Sequence, residues 1–230
     1  MNLIYKTLLL FLSFNNTHQL FCSSTKPVLN FVIPKGDSVI QRETVIVDGN
    51  RYTFINILSD SPGYKFYIKN KSGKTVYTYK DGSALYFKLN DFNSDGYKDA
   101  ILELRGVDSG QQDLIIYDAK SKRFKLAGNC SNAEKIPKTK YYYSYEDCCM
   151  GRYWSSDLFY ISESKIINIG HIKYNDDSGL YFFKLTGKKK ILLKKWRVRI
   201  NGDTPVTTGP HIDFDLGHYW IKHWSSFVNN

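Results

Sequence analysis

After a polar stretch rich in Ser, Thr, Pro and Lys (residues 23 to 38), the chain alternates short apolar-aromatic runs with turn residues. ETVIV and YTFINIL flank DGNR, and Asp48-Gly49 is the dipeptide that a tight turn with positive φ requires, so the pair predicts a hairpin. GYKFYIK and KTVYTY flank NKSG in the same way, and DLIIY and RFKLA flank DAKSK. ALYFKL, DAILEL, DLFYI, IINIGHIKY, LYFFKL and ILLKKWRVRI continue the series at the spacing of an antiparallel meander.

Helical periodicity is confined to the C-terminus. Leu216, Tyr219, Trp220, His223, Trp224, Phe227 and Val228 recur on one face, with Asp213 or Asp215 placed to cap the first turn. The pattern predicts a mainly β protein, an antiparallel meander with a C-terminal amphipathic helix over about 215–228 covering one face of the sheet. NGDTPVTTGP (201–210) leads into that helix, and no composition break divides residues 25 to 230, so one domain is expected.

The first residues add a compartment. Lys6 precedes the apolar run Thr7 to Phe14, and small residues follow at Cys22, Ser23 and Ser24, the arrangement of a secretory signal peptide over residues 1–24. The run is too short for a bilayer span, which needs about 20 apolar residues. Export as a periplasmic or extracellular protein is expected, with membrane attachment only if Cys22 is lipidated.

Lys and Arg number 32 against 22 Asp and Glu, a formal charge of +10. The lysines are spread over turns (Lys71, Lys74, Lys120, Lys122, Lys188 to Lys190) without a basic helical stripe or a nucleic-acid motif, which argues against a nucleic-acid partner. Such a charge suits solubility and attraction to anionic envelope polymers.

Against this basic background DFNSDGYKD (91–99) stands out. Asp91, Asn93 and Asp95 place side-chain oxygens at every second position, and Gly96 relieves the bend that brings them together. Asp99 and the Tyr97 carbonyl complete five hard oxygen donors, a set suited to structural Ca²⁺ with its six to eight oxygen ligands. The loop is not an EF-hand, because Leu102 stands where the terminal Glu belongs and the flanks alternate like strands. A polar turn held by Asx hydrogen bonds is the plain alternative.

LNDFNSDGYKDAILEL resembles the core of the FG-GAP (VCBS) repeat, whose calcium loop joins two strands. The resemblance implies Ca²⁺ ligation by Asp91, Asn93, Asp95, the Tyr97 carbonyl and Asp99. No second copy is present, so a full propeller is not predicted. Single-copy versions occur in exported bacterial proteins, and the strand, loop, strand and IIYDAKSKRFKL together resemble periplasmic lysozyme-inhibitor-type immunity proteins. That resemblance implies a non-catalytic interaction protein of the cell envelope with a protein or glycan partner, in its sharpest form an inhibitor of a peptidoglycan hydrolase. The competing class is an enzyme acting on an envelope polysaccharide or peptidoglycan through acidic residues.

The remaining chemistry is sparse. Of Cys22, Cys130, Cys148 and Cys149, three survive removal of the signal, and Cys130 is in a position to pair with Cys148 or Cys149, a closure worth about 3 kcal/mol. CxxC, HExxH, GxSxG and P-loop patterns are absent. The aromatic run YYYSY with Tyr153 and Trp154 suits either a β core or a stacking platform, which makes Tyr143, Tyr145, Tyr153 and Trp154 candidate binding residues.

Overall fold

The computed structural model describes residues 36–59, 63–79, 81–106, 110–148, 152–175, 177–196 and 215–228. The signal segment, Cys22, Cys149, Asp213 and the 201–210 stretch lie outside them.

Among the described residues, three open antiparallel sheets follow one another in chain order. The first is a meander of β1 (Ser38–Val47), β2 (Asn50–Leu58), β3 (Tyr64–Asn70) and β4 (Thr75–Tyr79), and the second a meander of β5 (Ala84–Asn90), β6 (Asp99–Leu104), β7 (Gln111–Asp118) and β8 (Arg123–Ser131). The third has the order β15 (Lys189–Trp196), β14 (Gly179–Thr186), β13 (Lys165–Asn175), β12 (Tyr153–Ser162), β10 (Tyr141–Tyr143) and β9 (Glu134–Lys135), with β11 (Glu146–Cys148) also paired to β12. None of them closes into a barrel or propeller.

The predicted turns form as their residues dictate. Asp48 and Gly49 take φ of 48° and 69°, closing β1 on β2 with Val47 opposite Asn50. At NKSG, Asn70 Oδ1 accepts from the N–H groups of Ser72 (3.1 Å) and Lys74 (3.0 Å), so a single amide side chain shapes the turn.

The two central strands of the middle sheet, β6 and β7, face apolar side chains on both sides. Ala100, Leu102, Ile115 and Tyr117 point toward the first sheet and join Phe54, Phe66, Phe87 and Phe124 in one core. Their neighbours Ile101, Leu114 and Ile116 point the other way and meet Ile161 of the third sheet. The continuous apolar runs DAILEL and DLIIY have this cause: period-2 alternation vanishes when neither face meets water.

The third sheet buries Leu158, Ile172, Tyr174, Leu180 and Phe182 beneath Trp220 and Phe227 of the C-terminal segment. That segment is not one helix but two, α1 (Leu216–His223) and α2 (Ser225–Val228). Asp215 caps α1 by accepting from His218 N–H at 2.8 Å. The break follows from Ser225-Ser226: Ser226 Oγ donates to the His223 carbonyl at 2.7 Å, and the Phe227 N–H bonds back only three residues, to Trp224. Among the described residues no helix is long and apolar enough to cross a membrane.

Candidate metal-binding loop

Residues 91–98 join β5 to β6, and Ser94 and Gly96 take φ of 62° and 91° to turn the chain back. The loop is organised by its own acidic side chains. Asp91 accepts from the N–H groups of Asp95 (3.1 Å) and Gly96 (2.9 Å), Asn93 Oδ1 accepts from Asp95 N–H (3.1 Å), and Asp95 accepts from Tyr97 N–H (2.9 Å). Asn93 also donates its amide to Asp95 at 2.7 Å.

Asp99 differs from the others in having no exposed surface. Its two oxygens accept from Phe92 N–H at 3.0 Å, within the loop, and from Tyr117 N–H at 2.8 Å, on β7. Burial pushes its pKa up to about 7; these two N–H groups oppose the shift, and the negative charges of Asp95 and Asp91 add to it.

Tyr142, from β10, borders the same carboxylates. It is 4% exposed and its hydroxyl is buried without a hydrogen-bond partner. Burial, followed by the charges on Asp91 and Asp99, pushes the phenol up to about 12. Its ring packs on Phe92 of the loop (6.3 Å) and stacks on Phe159 of β12 (5.6 Å), while Lys135 Nζ reaches Ser94 Oγ at 3.2 Å.

Among the described residues no three His, Cys, Asp or Glu side chains are already drawn together as a metal cluster. The loop carboxylates are engaged instead with backbone N–H groups. The donor set still fits a hard cation: a wholly buried carboxylate, two acidic neighbours that raise its pKa, and a buried, unpartnered phenol within reach of their charge. Beside the loop a groove of about 500 Å³ is bordered by Asn93, Asp95, Tyr117, Lys120, Lys125 and Glu163.

The candidate aromatics are not brought together as one platform. Tyr143 is 8% exposed, lies in the core beneath α1 and α2, and donates to Glu134, so it is no binding surface. The YYY strand is buried on both faces because the helices cover Tyr141 and Tyr143 while the loop between β5 and β6 covers Tyr142. Tyr145, Tyr153 and Trp154 are half-buried: Trp154 stacks on Tyr174 at 5.6 Å with Tyr145 at 6.1 Å, and Tyr153 donates to Asp177 at 3.3 Å.

Cys130 is a free thiol and not half of a bridge to Cys148. It donates to Gln112 Oε1 at 3.8 Å, and burial, with the charges of Asp113 and Glu103, pushes its pKa up to about 12. Its place between the second and third sheets satisfies it as a small core residue.

A second concavity escapes sequence reasoning altogether. A polar cleft of about 430 Å³ opens between the second and third sheets, lined by Asp81, Asp113, Glu146 and Asp157 together with Asn129, Cys130, Ser144 and Ser155. Asp113 is 8% exposed and accepts from the Tyr79 hydroxyl at 2.8 Å, and Asp157 bonds His171 Nδ1 at 2.8 Å. Leu104 lines it while Asp99 begins the same strand, which places the cleft roughly 17 Å along β6 from the loop.

No family model matches the chain, and no curated protein does. Among solved structures, a Xanthomonas type IV secretion system related protein is similar at 11% identity, covering 70% of this chain and 90% of that one, with a TM-score of 0.39. A likeness of that size carries no argument about the function of this chain.

Proposed function

We propose that the chain is an exported, non-catalytic binding module of the bacterial cell envelope, in which Ca²⁺ pins the loop between β5 and β6. Asp91, Asn93, Asp95 and Asp99 would hold the ion through their side chains and Tyr97 through its carbonyl. Bound there, Ca²⁺ neutralises three carboxylates and fixes the loop against the third sheet. The observation that carries the reading is the complete burial of Asp99, with the buried, unpartnered hydroxyl of Tyr142 near enough for the charges of Asp91 and Asp99 to act on it. A protein or glycan of the envelope is the partner class, and a peptidoglycan hydrolase is the specific partner that the family resemblance implies.

The experiment is thermal unfolding of the secreted chain in excess EDTA and then in Ca²⁺, beside Asp95→Ala. A rise in midpoint with Ca²⁺ that the variant lacks supports the reading. A wild-type midpoint that Ca²⁺ leaves unchanged reduces DFNSDGYKD to a polar turn.

A second reading, hydrolysis of an envelope polysaccharide, is favoured only by the cleft that carries Asp113 and Asp157. Release of soluble fragments from peptidoglycan, abolished by Asp157→Asn, would establish it over the first.

A further inference from the structure

Strand β15 ends the third sheet: it pairs with β14 along one edge and has no strand on the other among the described residues. Lys189 through Lys195 are all exposed, including Ile191, Leu192 and Leu193 at 47 to 51%. The unpaired edge of such a strand presents backbone N–H and C=O groups that water or another strand must satisfy.

The side chains restrict what that strand can be. KKILLKK places a lysine pair at each end of an apolar centre. The ammonium groups are held on both faces of the sheet: Lys190 lies over Phe183 (4.2 Å), Lys195 over Tyr181 (4.6 Å) and Lys194 over Trp196 (4.3 Å). Tyr181 and Phe183 stack with each other, whereas Trp196 packs on Phe182, which faces the helices.

We infer that the free edge of β15 docks an extended segment of a partner protein that has an apolar centre flanked by acidic residues, added to the third sheet as a further strand. Carboxylates at the two ends of such a segment meet the lysine pairs, and its centre covers Ile191 and Leu192. A second copy of this chain is a poor occupant. Antiparallel self-pairing about Leu192 sets Lys189 against Lys195 and Lys190 against Lys194, like charges directly opposite. An acidic lipid surface is poor for another reason, since hydrocarbon satisfies none of the open backbone groups. The lysines thus exclude neutral and basic strands while admitting an acidic one. The inference is independent of the calcium reading, and its test does not depend on it.

The test uses the purified protein and a fluorescent synthetic peptide, Glu-Glu-Val-Thr-Val-Glu-Glu, with anisotropy measured at low salt in both EDTA and Ca²⁺. The expected result is saturable binding in both, with slower amide hydrogen exchange in β15. Binding is lost when proline replaces the central threonine, because proline removes a ladder N–H. Lys190→Glu with Lys194→Glu weakens binding by at least about tenfold, as two surface attractions become repulsions. Because both lysines are exposed, an unchanged melting temperature shows that the variant folds. Equal binding by the proline peptide would reduce the site to a diffuse charge effect and overturn the proposal. So would β15 amides already protected in the free protein, which would mean that the chain covers its own edge.

Discussion

The Tyr117 N–H donates to Asp99 Oδ1 at 2.8 Å, so a single carboxylate binds the start of β6 to β7 while its other oxygen holds Phe92 in the loop. Asp99 is therefore structural as well as a candidate ligand, and the two roles respond differently to substitution.

Asp99→Asn keeps the volume and one acceptor, but removes the charge that would hold a cation and turns N–H donors toward a backbone N–H. The expected cost in EDTA is about 1–3 kcal/mol, that of one buried backbone donor left unsatisfied. In Ca²⁺ the cost rises, because the wild type alone gains from the ion. Urea unfolding of both proteins in each condition separates the two effects.

The raised pKa of Asp99 makes the calcium-free protein sensitive to pH. The folded state holds this proton up to about pH 7, whereas the unfolded state releases it near the ordinary carboxylate value of about 4. Its contribution is thus fully present below about pH 4, declines as pH rises to 7, and is flat above. Melting temperatures in EDTA between pH 4 and 8 are expected to show this decline, and Asp99→Asn to flatten it.

Tyr142→Phe removes a buried hydroxyl that has no partner. In EDTA the variant is expected to be as stable as the wild type or slightly more so, since no hydrogen bond is lost. Calcium affinity, by isothermal titration, is expected to fall if the hydroxyl orders the occupied loop.

Gly170 on β13 lies directly beneath the C-terminal helices. A Cβ there meets Phe227 Cδ1 at 2.8 Å, Leu158 Cβ at 3.1 Å and Trp220 Cη2 at 3.2 Å. Gly170→Ala is expected to lift the helices and destabilise by about 1–3 kcal/mol, an overpacking penalty. Increased Trp220 emission at long wavelength would report the exposed indole.

Cys130, with its thiol pushed up to about 12 by burial, is expected to react with a disulfide reagent at pH 8 only after unfolding. Fast modification of the folded protein at this residue would contradict its placement.

The features that were legible in the sequence are those whose physics is local. Asp48-Gly49 and Asn70 form their turns from residues at most four apart, and Asp215 caps α1 from three residues away. The loop's internal bonds are likewise local, so a turn held by its own Asp and Asn side chains was readable. Tyr142 was not, because only the pairing of β10 with β12 and the packing of its ring on Phe92 bring it to the loop. The polar cleft depends on side chains from separate sheets, such as Asp113 and Asp157, and has no sequence signature. The burial of Tyr143 was hidden for a related reason: strand alternation assigns it a face but does not say that helices cover that face.

Strands β6 and β7, the centre of the middle sheet, meet water on neither face, and this has a kinetic consequence. They cannot open without parting the first sheet or the third, so their amides should exchange only through global unfolding. The loop that feeds β6 is tied to this slowly exchanging pair through Asp99, whose two oxygens hold Phe92 N–H and Tyr117 N–H. An ion bound there would lengthen the lifetime of the whole molecule, because resistance to proteases is set by how seldom the chain opens completely.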